Sequence, residues 1–198
     1  MGGKECKVDT KNIMIVGVGG QGTLLASKTL GYVLLKMGYD VKVSEVHGMS
    51  QRGGSVVTYV RYGEHVYSPV IDKGEADIII SFEELEAARW LEFLKPGGQI
   101  ITNTQQVEPM PVITGAMEYP ENLVEKMQAK GAKVDAKDFL AIAEEAGNSK
   151  AVNMCLIGRF SNYLPEVPAE LWQEAMDKNV PPKFLELNKK AFALGANA

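Results

Sequence analysis

A glycine-rich turn near the start of the chain is the segment best suited to binding a ligand. Residues 17–22 read Gly-Val-Gly-Gly-Gln-Gly and follow the apolar run Ile13–Val16, which is typical of a strand buried on both faces. From Thr23 to Met37 the apolar residues recur at helical spacing. A glycine turn between a strand and a helix allows close approach of a phosphate and offers it backbone N–H groups.

The candidate binding residues of this turn combine open backbone with an amide and a hydroxyl group. They are Gly17, Gly19, Gly20, Gln21, Gly22 and Thr23. The same glycines would also let the strand and the helix pack closely without any ligand, and the pattern does not separate these two interpretations. No Gly-Lys-Ser/Thr sequence follows the turn, which excludes the phosphate-binding loop of ATP-hydrolysing enzymes.

A second loop, over residues 47–55, breaks the hydrophobic periodicity and carries an arginine between glycines. Its candidate substrate- or partner-contacting residues are His47, Gln51, Arg52, Gly53, Gly54 and Ser55. A flat, permanently charged guanidinium suits a carboxylate or a phosphate. In a parallel sheet this loop would lie beside the glycine turn, in the crevice where such folds bind ligands. A structural loop, with Arg52 on backbone carbonyls or on a partner subunit, is the alternative, and His47 is more consistent with a structural role.

The order of elements predicts one α/β domain over residues 1–198. We expect a doubly wound, Rossmann-like and mostly parallel sheet, with an inserted hairpin at 56–70 and a helical C-terminal extension. Strands are predicted at 13–16, 41–46, 56–62, 65–70, 77–81, 99–103 and 133–135. Beyond the first helix and an acid-rich helix after residue 81, helices are predicted at 122–130, 136–146, 153–164, 169–178 and 183–194. A turn is predicted at 95–98.

Composition limits the classes of function. The chain has 198 residues, of which 45% are apolar and 23% charged, as in ordinary globular domains. Its 21 basic and 25 acidic residues do not favour nucleic acid or an anionic membrane as partner. No apolar run reaches the roughly 18 residues of a membrane span, and the start lacks a signal-peptide core, so we expect a cytoplasmic protein. Two cysteines and two histidines without clustered spacing predict no metal site.

Three motifs taken together resemble a known family. They are Ile-Val-Gly-Val-Gly-Gly-Gln-Gly at 15–22, Gln-Arg-Gly-Gly-Ser-Val-Val at 51–57 and Lys-Pro-Gly-Gly at 95–98. With Asn153, Gly158 and Gly195 they resemble the gamma-type subunits of 2-oxoacid:ferredoxin oxidoreductases over about residues 12–195. As a free-standing chain of this size without long insertions, it is most similar to the small subunits of members that act on indolepyruvate. Members acting on pyruvate, 2-oxoglutarate or branched-chain oxoacids are close alternatives.

The resemblance implies a reaction and a division of labour. A 2-oxoacid and CoA would give an acyl-CoA and CO2, with the electrons passing to ferredoxin. Thiamine diphosphate, Mg2+ and 4Fe-4S clusters would be held by a large partner subunit, so this chain would be a non-catalytic subunit with no cofactor of its own. By the same resemblance the glycine turn would contact a phosphate of CoA, and residues 51–55 would face the partner or the substrate entrance.

Other classes of function are compatible with a glycine turn. An independent NAD(P)-binding oxidoreductase would need an acid on the second strand to hold the ribose, and Glu45 is placed near that position. An adenylating enzyme would need an aspartate there and, in many cases, a zinc-binding cysteine pair, which this sequence lacks. A homodimer of the isolated chain is a further hypothesis, formed through the apolar helices at 153–164 and 183–194.

Overall fold

The sheet is mixed but mostly parallel. The computed structural model describes residues 9–47 and 54–198. Its strands are Lys11–Val18 (β1), Asp40–His47 (β2), Ser55–Gly63 (β3), Ala76–Ser81 (β4), Leu94–Asn103 (β5) and Lys133–Lys137 (β6), in the spatial order β2-β3-β1-β4-β5-β6. Strands β1, β4, β5 and β6 pair in parallel, whereas β3 is antiparallel to both β1 and β2. The predicted α/β fold class is confirmed.

Helices cover both faces of this sheet. They are Thr23–Lys36 (α1), Glu84–Arg89 (α2), Met110–Ile113 (α3), Leu123–Ala129 (α4), Phe139–Ala146 (α5), Val152–Ser161 (α6), Ala169–Asn179 (α7) and Leu185–Asn197 (α8). Short 3-10 turns lie at Leu91–Phe93, Ser149–Ala151 and Pro182–Phe184. The larger core packs α1 and α5 to α8 on one face, and a smaller core packs α2 and α4 on the other. None of the described helices has the length and apolarity that crossing a bilayer requires.

Strand β1 is buried on both faces, as the sequence predicts. Ile13 and Ile15 point into the larger core, and Met14 and Val16 point into the smaller one. All four side chains are at most 1% exposed. Because side chains alternate along a strand, this continuous apolar run requires a covered layer on each side of the sheet.

The antiparallel pair is placed differently from the predicted hairpin. Residues 65–70 form no strand, and β3 pairs with β2 instead. Side chains occupy the backbone groups that a return strand would use. Val66 N–H donates to Asp40 Oδ2 at 2.8 Å, and Arg61 Nη1 donates to the carbonyls of Ser68 and Val70 at 3.1 and 2.8 Å. The prediction of a strand at 65–70 is therefore wrong.

Two element boundaries also differ from the prediction. The turn at 95–98 is a bulge inside β5, because Ala76 pairs with Leu94 while Ile78 already pairs with Gln99. The helix predicted from residue 136 begins at Phe139, since residues 133–137 continue as β6. Asp138 is the N-cap of α5, and its carboxylate accepts from Ala141 N–H at 2.9 Å.

The C-terminal helices pack inside the chain. Helices α6 and α8 cross at two glycines, where a Cβ on Gly158 would lie 2.1 Å from the Phe192 carbonyl oxygen. A Cβ on Gly195 would lie 2.0 Å from the carbonyl oxygen of Cys155. The side chains from Met154 to Ile157 are fully buried in the larger core. The apolar faces that suggested a homodimer through these helices are thus covered within one chain.

The thiol of Cys155 gives a test of this packing. It is fully buried, and desolvation raises its pKa to about 12. We expect a Cys6→Ser variant to resist an aromatic disulfide reagent at pH 8 until the chain is unfolded, because the thiolate is the reactive form. Absorbance of the released thiolate, with and without guanidinium chloride, measures this. Rapid labelling of the native variant would contradict the arrangement of α6 under α8.

Candidate functional site

The two loops singled out in the sequence meet at the carboxyl end of β1. Gly19 N–H donates to the Gly54 carbonyl oxygen at 3.0 Å, and Val18 is paired with Ser55. Their proximity is as expected for these described residues, but it arises because β3, not β2, lies next to β1. The predicted residues Gln51, Arg52 and Gly53 lie outside the described residues, as does the side chain of His47.

Gln21 holds the glycine turn in shape. Its Oε1 accepts from Val18 N–H at 2.7 Å, and its Nε2 donates to the Phe82 carbonyl oxygen at 3.3 Å. A Cβ on Gly17 would lie 2.7 Å from that Oε1 and 2.9 Å from Phe82 Cβ, so only glycine fits there. At Gly17 and Gln21 the contacts within the chain are those of a packed turn between β1, β4 and α1.

Gly20 and Gly22 form the open part of the turn. Both have positive φ, +98° and +86°, which favours glycine. A Cβ on Gly20 would meet nothing within 4 Å, whereas one on Gly22 would lie 2.6 Å from Asn153 Nδ2. Within the described part of the chain, the N–H groups of Gly20 and Gly22 have no hydrogen-bond acceptor. Thr23, which is buried, begins α1 directly after them.

A cleft of about 380 Å³ opens beside this turn. It is lined by Gly20, Gln21 and Gly22 on one side and by Gln105, Leu140, Ser149, Lys150 and Val152 on the other. Lys150 is exposed, and it forms no ion pair with any described residue. The first turn of α1 carries no acid, so its positive end adds to the lysine charge. The cleft therefore favours an anion such as a phosphate group.

Sequence reasoning missed the far wall of the cleft. Gln105 follows β5, and Ser149 and Lys150 lie in the 3-10 turn before α6, more than 80 residues beyond the glycine turn. They face the turn only because β4 and β5 extend the sheet from β1 and because α6 packs on α1. No local pattern distinguishes such a lysine from a surface lysine.

Buried carboxylates at the end of β4 fasten the surrounding loops. Glu83, 1% exposed, accepts from Glu86 N–H at 2.7 Å, from Val107 N–H at 3.0 Å and from the Tyr119 hydroxyl at 2.5 Å. Burial and this carboxylate raise the pKa of Tyr119. Glu86 accepts from the Ser55 hydroxyl, which fixes the point where the second loop enters β3. These acids therefore anchor two loops.

The remaining sequence candidates do not form a catalytic group in the described structure. Glu45 pairs with Thr58 on β3, which in turn pairs with Ile15 in the middle of β1. Glu45 is therefore separated from β1 by β3. It is level with the middle of β1, not with the glycine turn at the carboxyl end of that strand. In dinucleotide-binding enzymes the ribose-holding acid ends the strand adjacent to β1. Within residues 9–47 and 54–198, no group of three or more His, Cys, Asp or Glu side chains is arranged to hold a metal ion.

Comparison with known proteins agrees with this fold. The family model for pyruvate ferredoxin/flavodoxin oxidoreductase matches residues 12–198. The chain belongs to this family, and it is a subunit of an oxoacid ferredoxin oxidoreductase. It is 45% identical over 194 residues to the indolepyruvate oxidoreductase subunit IorB of Thermococcus kodakarensis, covering 94% of this chain and 95% of that protein. The resemblance to gamma-type subunits is confirmed.

More distant relatives have other substrates in their names. The 2-oxoglutarate synthase subunit KorC of Methanothermobacter thermautotrophicus is 28% identical over 188 residues, or 93% of each chain. The solved structure of the pyruvate oxidoreductase subunit PORC of Thermotoga maritima is 20% identical, with a TM-score of 0.73 over 96% of this chain and 97% of that one. At that level of identity the structure shows a common fold.

Proposed function

We propose that this chain is the small subunit of an indolepyruvate ferredoxin oxidoreductase. The observation that carries this proposal is the 45% identity to an indolepyruvate oxidoreductase subunit over 94% of the chain, against 28% for a 2-oxoglutarate synthase subunit. The complete enzyme would convert indolepyruvate and CoA into the acyl-CoA and CO2, and would pass the electrons to ferredoxin. We expect it to act in the cytoplasm.

The proposed division of labour leaves the redox chemistry to the partner. The large subunit would hold thiamine diphosphate with Mg2+ and the 4Fe-4S clusters, which supply decarboxylation and electron transfer. This chain has Cys6 and Cys155 alone, too few thiols to ligate such a cluster, and Cys155 is buried under α8. Its contribution would be binding and positioning, as a non-catalytic subunit.

The cleft beside the glycine turn is the proposed contact for CoA. Its volume of about 380 Å³ suits a phosphate-bearing part of CoA rather than the whole molecule. The open N–H groups of Gly20 and Gly22, the positive end of α1 and the charge of Lys150 would bind that phosphate. Residues 51–55 would lie at the boundary with the partner subunit, because Gly54 and Ser55 enter β3 beside the turn.

A substrate panel on the assembled enzyme tests the proposal. The chain is co-expressed with a candidate large subunit, and ferredoxin reduction is measured with CoA and each of four oxoacids: indolepyruvate, pyruvate, 2-oxoglutarate and 2-oxoisovalerate. We expect kcat/KM for indolepyruvate to exceed the others by at least about tenfold, as a shaped apolar pocket allows. A higher value for another oxoacid would overturn the substrate assignment, and CoA-independent turnover would overturn the role of the cleft.

A further inference from the structure

A segment that follows β5 carries exposed apolar side chains. Residues 107–121, here called the finger, include Met110, Ile113 and Met117, which are 66%, 61% and 65% exposed. These three lie within eight residues of one another, on and just after α3. Clustered large apolar side chains on a protein surface are uncommon unless they bind a partner.

The finger is ordered by its own hydrogen bonds. Thr114 N–H donates to the Met110 carbonyl oxygen at 2.9 Å, and the N–H groups of Ala116 and Met117 donate to the Pro111 carbonyl oxygen at 2.9 and 3.0 Å. Its two ends are held at one point, because Val107 N–H and the Tyr119 hydroxyl both donate to the buried carboxylate of Glu83. A surface fixed in advance loses little conformational entropy on binding.

The charge of the finger is of one sign. Its charged residues are Glu108, Glu118 and Glu121, all exposed, and residues 104–122 contain no lysine or arginine. An apolar patch with acidic neighbours is complementary to an apolar pocket with a basic rim. Contact between the fingers of two copies would instead bring like charges together.

The finger is continuous with the cleft described above. Gln105, which lines the cleft, lies two residues before the finger in sequence, and Glu83, which anchors the finger, follows the carbonyl group of Phe82 that accepts from Gln21. Finger and cleft therefore lie at the same carboxyl edge of the sheet. A protein bound to the finger would also cover the side of the cleft near Gln105.

From these observations we infer that the finger is the docking element for the large thiamine-bearing subunit, which would receive it in an apolar pocket rimmed by lysine or arginine. This inference rests on the proposed function for the identity of the partner. Because binding there would cover the cleft, docking would also bring the proposed CoA phosphate contact against the subunit that holds the thiamine.

The test compares two variants with matched losses of exposed apolar surface. One is Met110→Ser/Ile113→Ser/Met117→Ser. The control is Leu35→Ser/Tyr67→Ser/Val70→Ser, whose native side chains are 60%, 95% and 53% exposed on other elements. The Kd for the thiamine diphosphate-loaded large subunit is measured by calorimetry. Because a few central anchor residues carry most of the binding energy of an interface, we expect the finger variant to raise Kd at least about thirtyfold and the control to change it less than about threefold.

A charge variant examines the basic rim separately. Glu108→Gln/Glu118→Gln/Glu121→Gln is expected to slow association about tenfold at low salt and to reduce the salt dependence of binding, because these carboxylates steer the encounter. An unchanged salt dependence would overturn the inference that the partner's pocket has a basic rim.

The outcomes separate the two proposals. If the wild-type chain forms no complex with the large subunit, the proposed function fails and the docking inference fails with it. If the complex forms and the finger variant binds as tightly as the wild type, the docking inference alone is overturned. Loss of self-association with unchanged binding of the large subunit would assign the finger to contact between copies and would also overturn it.

Discussion

Gly195→Ala is expected to destabilise the chain by about 3 kcal/mol, the upper part of the range for an overpacked core. The added methyl group would lie 2.0 Å from the carbonyl oxygen of Cys155 and 2.6 Å from its carbonyl carbon. Both are backbone atoms of α6, so no side-chain rotation relieves the contact and the two helices must separate. Gly158→Ala, whose Cβ would lie 2.1 Å from the Phe192 carbonyl oxygen, is expected to behave alike.

Equilibrium unfolding in urea measures this effect, and Gly31→Ala is the matched control. Gly31 is a buried glycine in the middle of α1, where a Cβ would meet Val43 Cγ2 at an ordinary 3.9 Å. Alanine favours a helix over glycine by up to about 1 kcal/mol, so Gly31→Ala should leave stability unchanged or increase it. Equal unfolding midpoints for Gly195→Ala and Gly31→Ala would show that α6 and α8 do not cross at their glycines.

Lys150→Glu is expected to raise the KM for CoA by about 10- to 100-fold in the assembled enzyme. A charge-assisted hydrogen bond to a phosphate contributes about 1.5–3 kcal/mol, and an acid in its place adds repulsion. The proposed role of Lys150 is to bind CoA rather than to take part in the reaction. The value of kcat at saturating CoA should therefore change little, and the KM for the oxoacid should stay the same.

The control for this charge reversal is Lys130→Glu. Lys130 is also exposed, but it lies between α4 and β6, at the amino edge of the sheet and away from the cleft. Initial rates of ferredoxin reduction against CoA concentration give the comparison. The same KM for CoA in both variants would exclude Lys150 from the proposed CoA contact. The glycine turn would then have a packing role only.

Local patterns were sufficient to predict β1, the glycine turn and α1. The run from Ile13 to Val16 is apolar at every position. This predicts that both faces of β1 are covered, although it does not predict which helices cover them. Gly38, with φ of +89°, follows the end of α1 in the left-handed conformation that glycine commonly adopts after a helix. These features depend on neighbours in sequence.

Features that depend on distant residues were not predictable in this way. The backbone groups of residues 66–70 are satisfied by Asp40 and Arg61 instead of by a strand, which no periodicity indicates. A carboxylate as buried as that of Glu83 is stable only because Val107 and Tyr119 donate to it. Lys150 reaches the cleft through the packing of α6, so its position is a property of the assembled fold.

The most direct test of the account is to measure ferredoxin reduction and cofactor content for this chain alone, for the large subunit alone and for the two together. The preparation of this chain alone should contain no thiamine diphosphate or iron and should show no turnover of indolepyruvate with CoA. The two subunits together should restore activity far above that of the large subunit alone. Turnover by this chain without a partner, or equal activity with and without it, would contradict its assignment as a non-catalytic subunit that completes the enzyme.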